Sequence, residues 1–330
     1  MPAMSSVAGR RDVAPGRVVV LGGTGFLGSA VTRAFLDAGS AVTVLDRVAP
    51  SVPRADLVAG AEILLGEADD PVVLTNLLGE ADHVVHAVGG PVAEESNRNP
   101  VDTLFATLPG IITLLEALRA RAGVGLSFLS SGGVVYGRTD GRPVAEDAPC
   151  DPITTYGVTK LAAEKYIGVY ASLFGVSSRV LRVGNAYGPT QPTGSGQGVV
   201  AAFAEAARAG RPVPVFGDGE VVRDFVHVGD VAAAVVGLAA RSGGPLVVNV
   251  GSGVGHSVRQ VARAVERVSG RRLVLEHRPG RDFDVRHLVL DTGRLSALLE
   301  WRPRTFEDGL AGIWERLVEA EPIRRADGPE

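Results

Sequence analysis

Cysteine is almost absent from this chain of 330 residues, in which Cys150 is the only one. Without a second thiol the chain cannot form an intrachain disulfide, which is typical of proteins from a reducing compartment. We therefore expect a cytoplasmic protein. The six histidines are scattered and no cysteine cluster accompanies them, so the sequence predicts no metal site.

Long apolar runs and dense basic clusters are missing as well. The apolar stretch 231–240 is interrupted by Gly237 and is too short to cross a bilayer, so we expect no membrane span. The net charge is −4, and no run of lysine and arginine offsets it, which argues against a nucleic-acid partner. Residues 1–16 lack the apolar segment of a signal peptide and are predicted to form a loose tail.

What the sequence does contain is an alternation of apolar runs with helical patterns. Hydrophobic residues make up 45% of the chain and charged residues 21%, enough for a sizeable core. Short, often β-branched runs predict buried parallel strands at residues 18–21, 42–45, 63–65, 84–88 and 126–129. Repeated βα units of this kind predict an α/β Rossmann fold with a doubly wound parallel sheet.

The βα rhythm breaks in the region 189–219, which is rich in glycine and proline and then helical at 199–209. We expect a smaller mixed α/β C-terminal substrate domain to begin there. The predicted boundaries are 17–185 for the Rossmann domain, with 222–250 returning to it, and 186–221 together with 251–320 for the smaller domain.

A glycine-rich motif, GGTGFLG, follows the first predicted strand and opens a helix. Gly22 allows a tight turn, Gly25 lets the backbone approach a pyrophosphate, and Gly28 lets the helix pack on the strand. The phosphates then lie at the helix N-terminus, where free N–H groups and the helix dipole favour negative charge. The motif predicts a dinucleotide site.

An acidic residue, Asp46 in VTVLD, ends the second predicted strand. A carboxylate there accepts hydrogen bonds from ribose hydroxyls and repels a 2′-phosphate, which favours NAD over NADP. Arg47 follows directly and could instead pair with a phosphate, so NADP remains the less favoured alternative.

Tyr156 and Lys160, in YGVTK, are four residues apart and therefore share one face of a predicted helix. An ammonium near a phenol favours the phenolate and lowers the phenol pKa toward working pH. A tyrosine tuned in this way can exchange a proton with a hydroxyl group while a hydride moves. Downstream of a dinucleotide motif, the pair predicts oxidoreductase chemistry on a hydroxyl-bearing substrate.

A series of motifs in this order resembles the extended short-chain dehydrogenase/reductase family, and within it the nucleotide-sugar epimerases related to UDP-glucose 4-epimerase. The resemblance runs from about Arg17 to Leu317. Its motifs are GGTGFLG, VTVLD, VVHAVGG, SSGGVVYG, YGVTKLAAEKY, LRVGNAYGP, VFGDGEVVRDFVHVGDVA, NVGSG and DTGRLSALLEWRP.

The resemblance implies further site residues. In the cofactor site it implies contacts from Phe26, Leu27, Ala87 and Lys160 besides the glycines, Asp46 and Arg47. In the substrate site it implies that Asn185 contacts the sugar or its diphosphate, that Arg223 and Arg278 pair with the diphosphate, and that Phe216 lines the pocket for the nucleotide base.

The chain departs from the family pattern at three positions. The family's third catalytic group is a serine or threonine three positions before VYG, and Gly132 stands there. Ser131 is our candidate for the missing hydroxyl, with Thr154 and Thr155 as alternatives. Thr107 stands where the family usually has an asparagine, and Glu67 replaces the usual aspartate near the adenine.

The family resemblance implies one of several reactions on a nucleotide sugar, and the residues before VYG reduce the number of candidates. Relatives that eliminate water or decarboxylate place acidic residues where this chain has Gly133 and Val134. We therefore expect an NAD-dependent nucleotide-sugar 4-epimerase that inverts C4 of an NDP-hexose through a transient 4-keto sugar, with tightly bound NAD. The alternatives are an NAD(P)H-dependent 4-ketoreductase of NDP-4-keto-6-deoxyhexoses and a cofactor-binding regulatory protein without turnover.

The resemblance also implies partners. We expect a UDP- or dTDP-hexose as substrate, and a homodimer in which helices around 104–119 and 156–173 of each subunit form a four-helix bundle. Leu114, Leu115 and Leu118 fit such an apolar interface, and they fit a core position equally well.

Overall fold

The computed structural model of the protein describes residues 13–90, 93–192, 198–241, 243–244 and 246–319. Most of the tail predicted at residues 1–16 lies outside these ranges. The largest sheet has seven parallel strands in the order β10-β6-β5-β4-β1-β2-β3. The strands of the described chain are β1 Arg17–Leu21, β2 Ala41–Asp46, β3 Glu62–Leu65, β4 His83–His86, β5 Gly125–Ser131, β6 Ser178–Val183, β7 Asn185–Tyr187, β8 Val213–Phe216, β9 Val222–His227, β10 Val247–Val250, β11 Gly255–Ser257, β12 Leu275–Arg278 and β13 His287–Leu288.

Helices cover both faces of this sheet, as in a doubly wound fold, and the predicted fold class is confirmed. The helices are α1 Phe26–Asp37, α2 Pro71–Leu78, α3 Ala93–Arg98, α4 Pro100–Phe105, α5 Leu108–Arg119, α6 Gly132–Val135, α7 Thr155–Phe174, α8 Val199–Ala209, α9 Val228–Ala239, α10 Val258–Ser269, α11 Gly293–Leu298 and α12 Phe306–Glu319. One core cluster packs α1 and α9 on one face, and a second packs α2, α5 and α7 on the other.

Local sequence explains where the helices near the sheet begin. Asp70 caps α2, because its carboxylate accepts hydrogen bonds from the amides of Val72 and Val73 at 2.8 and 3.2 Å. Pro109 lies in the first turn of α5, where it needs no amide hydrogen bond, so this helix starts late.

The smaller C-terminal domain has its own core and a mixed sheet. β9 pairs antiparallel with β11 and parallel with β13 and β7, while β12 and β8 form a separate parallel pair. Helices α8, α10 and α12 pack together around the third core cluster, which includes Phe203, Val261 and Phe306.

The segment Pro100–Arg119, within the described residues, is long and apolar enough by composition to span a bilayer. It is divided into α4 and α5 by a turn at Ala106 and Thr107. The inward side of α5 belongs to the second core cluster, as in a core helix of a globular protein. Leu114, Leu115 and Leu118 are buried in this core and are not available to a partner.

Candidate active site

A cavity of about 580 Å³ opens at the carboxyl ends of β1, β2 and β4. Gly22, Gly25, Asp46, Arg47 and Ala87 line it, so the structure brings these predicted cofactor residues together. This is where doubly wound sheets bind their ligands.

The backbone around the glycine motif leaves no room for side chains. Gly22 has φ +77°, and a Cβ on it would lie 2.9 Å from the amide nitrogen of Val88. A Cβ on Gly28 would lie 2.0 Å from the carbonyl oxygen of Gly22. Phe26 and Leu27 begin α1 directly after Gly25, and both pack against the first core cluster. The amino end of α1 therefore points at the cavity with its backbone exposed to a ligand, which fits a dinucleotide pyrophosphate.

Asp46 is held by the turn that precedes α1. The amide and hydroxyl of Thr24 donate to Oδ2 of Asp46 at 3.0 and 2.6 Å, and the amide of Arg47 donates to Oδ1 at 2.8 Å. The carboxylate is thus fixed at the cavity wall and keeps free lone pairs for ribose hydroxyls. The Arg47 side chain is exposed and lies 3.9 Å from Glu67 (Nε to Oε2). Arg47 is the residue that could bind the 2′-phosphate of NADP, and the neighbouring carboxylate of Glu67 opposes this.

Tyr156 and Lys160 lie on one face of α7, near its amino end. The Lys160 ammonium is buried, donates to the carbonyl oxygen of Leu129 at 3.1 Å, and lies 5.8 Å from the centre of the Tyr156 ring. A Cβ on Gly90 would be 3.5 Å from Cε2 of Tyr156. Gly90 lines the cavity, so the tyrosine ring lies beside a residue of the cavity wall.

The electrostatics of this pair differ from the expectation drawn from the sequence. Burial raises the pKa of the Tyr156 phenol to about 12, and burial lowers the pKa of Lys160 to about 8. The sequence predicts that the nearby ammonium lowers the phenol pKa toward working pH, whereas in the protein by itself burial raises that pKa. At nearly 6 Å from the ring, the ammonium does not offset the loss of solvation.

The candidate hydroxyl, Ser131, ends β5. A Cβ on Gly133 would lie 3.7 Å from Oγ of Ser131 and 3.3 Å from Oδ1 of Asn185, so these two predicted residues converge on one point. A Cβ on Gly132 would instead lie 2.8 Å from Cδ1 of Leu290. The hydroxyl of Thr154 accepts from the amide of Gly157 and caps α7, which leaves Ser131 better placed than this alternative.

A second cluster combines Arg223 and Phe216 with a residue that sequence reasoning missed, Arg281. The Arg281 guanidinium lies 4.4 Å above the Phe216 ring, and Asp284 pairs with Arg281 at 2.9 Å (Oδ2 to Nε) and with Arg223 at 3.6 Å (Oδ1 to Nη2). Burial lowers the pKa of Arg223, Asp284 raises it, and the neighbouring Arg281 lowers it. Two guanidinium groups beside an aromatic ring can bind a nucleotide diphosphate.

Arg278 is the register partner of Phe216, but its side chain pairs with Glu276 and not with Asp284. It is exposed at the end of β12 and lies 3.8 Å from the equally exposed Glu276 (Nη2 to Oε2). The signal for Arg281 was present in the sequence, because Asp284 follows it three residues later and can hold its side chain. Thr107 is buried at the rim of the first cavity, beside Gly90.

Comparison with known proteins agrees with this geometry. Residues 18–251 match the family described as NAD dependent epimerase/dehydratase family. The chain is 34% identical to a UDP-glucose 4-epimerase of Azospirillum brasilense, with 95% of each chain covered. It is 32% identical to a UDP-glucose 4-epimerase of Mycolicibacterium smegmatis, with 89% of this chain and 96% of the relative covered.

Solved structures give the same picture. The UDP-glucose 4-epimerase of Thermus thermophilus, in complex with NAD, superposes with a TM-score of 0.85 at 35% identity and covers 92% of this chain and 100% of its own. The enzyme of the same description from Thermotoga maritima, with UDP-glucose, superposes with a TM-score of 0.86 at 31% identity and covers 92% and 99%.

Proposed function

Because the chain belongs to the NAD-dependent epimerase/dehydratase family of extended short-chain dehydrogenases/reductases, we propose that it is a nucleotide-sugar 4-epimerase. The observation that carries the proposal is that the Tyr156 ring lies beside Gly90, a residue that lines the same cavity as Gly22 and Asp46. A proton-transfer group thus adjoins a dinucleotide site.

We assign the cofactor contacts to the residues around that cavity. The amides at the start of α1 hold the pyrophosphate, Asp46 accepts from the adenosine ribose, and Arg47 and Ala87 line the opening. Bound NAD would supply the hydride acceptor and donor, and the positive charge of its oxidised ring would favour loss of the phenol proton. Tight binding suits an epimerase, because the same cofactor molecule serves both half-reactions.

Proton transfer falls to the residues of α7 and β5. In this proposal Oη of Tyr156 takes the proton of the C4 hydroxyl and later returns it, while Lys160 supplies positive charge and Ser131 donates a hydrogen bond to the C4 oxygen. The resulting 4-keto sugar rotates within the site before it is reduced on its other face.

Substrate binding falls to the second cluster. Arg223 and Arg281 hold the diphosphate, Phe216 packs against the base, and Asn185 contacts the sugar. Relatives whose structures contain UDP-glucose support a UDP-sugar. Arg278 was assigned to the diphosphate from the family resemblance, and its position at the exposed end of β12 makes Arg281 the stronger candidate.

A C4-inversion assay tests the proposal. Purified protein is incubated with UDP-, dTDP- and GDP-hexoses without added cofactor, and both C4 epimers are quantified. We expect inversion of at least one UDP-hexose. Tyr156→Phe should lower turnover about 10²- to 10⁴-fold, because the proton acceptor is lost, and should still bind NAD. No inversion across the panel sinks the proposal, and stoichiometric NADH oxidation on a 4-keto sugar would identify a ketoreductase instead.

We also propose a cytoplasmic homodimer built on what we call the outer helical face. This face consists of exposed apolar residues on α4 and α7: Val101, Leu104, Phe105, Val158, Tyr166, Val169 and Leu173. The two helices pack side by side within one chain. A contiguous apolar surface of this kind is typical of a subunit interface.

The sequence predicts two domains, 17–185 with 222–250 and 186–221 with 251–320, and we further propose this division with the return to the Rossmann domain moved to α9. Strand β10 supports the return of the chain, because it pairs with β6 at the edge of the large sheet. Within the described residues, strand β9 pairs only with strands of the mixed sheet, which favours a return at α9.

A further inference from the structure

A buried ion pair lies one turn of α7 after Lys160. The side chains of Arg182 and Glu164 are 5% and 4% exposed, and Nη2 of Arg182 lies 2.7 Å from Oε2 of Glu164. Nε of the arginine also donates to both carboxylate oxygens, at 3.2 and 3.1 Å. Burying two charges is costly, and such a pair adds little to the free energy of unfolding. Stability therefore does not explain why this pair is present.

Glu164 holds the end of β5 against the catalytic helix. The Ser130 hydroxyl donates to Oε1 of Glu164, and Ser130 is the register partner of Arg182 on β6. One turn earlier on α7, Lys160 donates to the carbonyl oxygen of Leu129. Successive turns of α7 therefore grip successive residues of β5, immediately before the candidate hydroxyl of Ser131.

Charged and titratable groups reach Lys160 from three elements. Tyr156 and Glu164 lie on α7, His86 on β4, and Arg182 on β6 beyond the glutamate. Burial lowers the pKa of His86 to about 3, with a further decrease from Lys160, so the imidazole is neutral. Burial lowers the pKa of Lys160 to about 8, and Glu164 raises it against that effect.

We propose that Glu164 is a positioning residue of this site, which acts through Ser130 and Lys160 and not on the substrate. It fixes the end of β5, so that the Leu129 carbonyl receives the ammonium, and its carboxylate keeps Lys160 charged. Arg182 holds that carboxylate in its buried position through hydrogen bonds from Nε and Nη2. The expected effects on turnover rest on the proposed function, whereas the expected effect on the lysine does not.

The lysine content of the chain allows a direct measurement. Lys160 and Lys165 are the only two lysines, and Lys165 is exposed. Protein labelled with carbon isotope at lysine Cε therefore gives two resonances, and Lys165 serves as the internal reference in a pH titration. In Glu164→Gln/Arg182→Gln, both charges are removed and two amides can bond to each other. The Lys160 midpoint should fall by about 1 pH unit. An unchanged midpoint overturns the proposal.

A second ion pair away from Lys160 controls for a general effect of losing such a pair. Arg304 and Asp230 are 2.9 Å apart (Nη2 to Oδ1) at the amino end of α9, and their side chains are 42% and 12% exposed, so this pair is less buried than that of Arg182 and Glu164. Asp230→Asn/Arg304→Gln should leave the Lys160 midpoint where it is. An equal shift in this control would show a general effect and would overturn the role of Glu164. The single variant Glu164→Gln, if it folds, should shift the midpoint further, because Arg182 then acts unopposed.

Ser130→Ala separates position from charge. This variant keeps the ion pair and removes the hydrogen bond to β5, so the Lys160 midpoint should stay and kcat for C4 inversion should fall about tenfold at constant KM. Wild-type kcat in Ser130→Ala contradicts the positioning role. If the wild-type protein inverts no sugar, the proposed function fails. The lysine titration still decides whether Glu164 keeps Lys160 charged.

Discussion

Gly132 shows how one residue limits what a site can contain. The family resemblance implies a hydroxyl at this position, which glycine does not supply. In the structure a Cβ at 132 would lie 2.8 Å from Cδ1 of Leu290 and 3.1 Å from the carbonyl oxygen of Arg182. A side chain here would thus meet the core, and the assignment of the hydroxyl to Ser131 remains a prediction.

Gly132→Ser should therefore destabilise the protein without improving turnover. Overpacking of this kind costs about 1–3 kcal/mol in the free energy of unfolding. Gly312→Ala is the matched control, because nothing lies within 4 Å of its added Cβ on α12. The control should gain up to about 1 kcal/mol. Urea denaturation measures both, and a stable, faster Gly132→Ser enzyme would contradict this account.

Residue types were easier to predict than their partners. Gly22, Gly25, Asp46 and Ala87 follow from recognisable sequence motifs, and they line one cavity. Arg278 and Arg281 are three residues apart, and only folding decides which one reaches Asp284. The phenol pKa of Tyr156 depends on burial, which the spacing of a tyrosine and a lysine does not contain.

Helices and parallel strands were predictable because their signals are local. The helix predicted at 199–209 is α8, and the five predicted strands of the first half are β1 to β5, with ends that differ by one or two residues. The sheet to which β9 belongs could not be predicted from local sequence. Its partners β7, β11 and β13 come from separate parts of the chain, so no pattern within residues 222–227 could assign its sheet.

The cap of α2 offers a test at this scale. Asp70→Ala removes the acceptor for two amides at the start of the helix and should lower the free energy of unfolding by about 1 kcal/mol. Asp70→Asn keeps an oxygen acceptor and should retain most of the stability. Thermal unfolding of the two variants measures the difference. Equal melting temperatures for alanine and asparagine would show that the cap contributes nothing.

For the whole molecule, the predictions of family, fold class, enzyme class and NAD dependence are confirmed. The sugar, the 4-keto intermediate, the site roles and the dimer remain proposals. Oligomeric state in particular depends on side chains exposed at the surface of one chain. The leucines of α5 that first suggested an interface are buried within one chain, whereas the outer helical face became visible only from exposure.

The dimer proposal makes a prediction about mass in solution. Leu104→Glu/Tyr166→Glu places two charges on the outer helical face and should convert a dimer into a monomer, because charge is costly to bury at an apolar interface. Val274→Glu, at an exposed valine before β12, is the control and should remain dimeric. Light scattering after gel filtration measures both. A wild-type monomer would rule out the interface.

Leu290 has a consequence for anyone who recombines this protein with its relatives. The matched family region ends at residue 251, yet residues after it contact residues within it. Leu290 touches Gly132, Arg294 lies 3.5 Å from Glu146 (Nε to Oε2), and the Trp301 indole donates to the carbonyl of Gly251. A chimaera joined after Gly251 would take the two sides of each of these contacts from different parents. Crossovers should therefore exchange both pieces together.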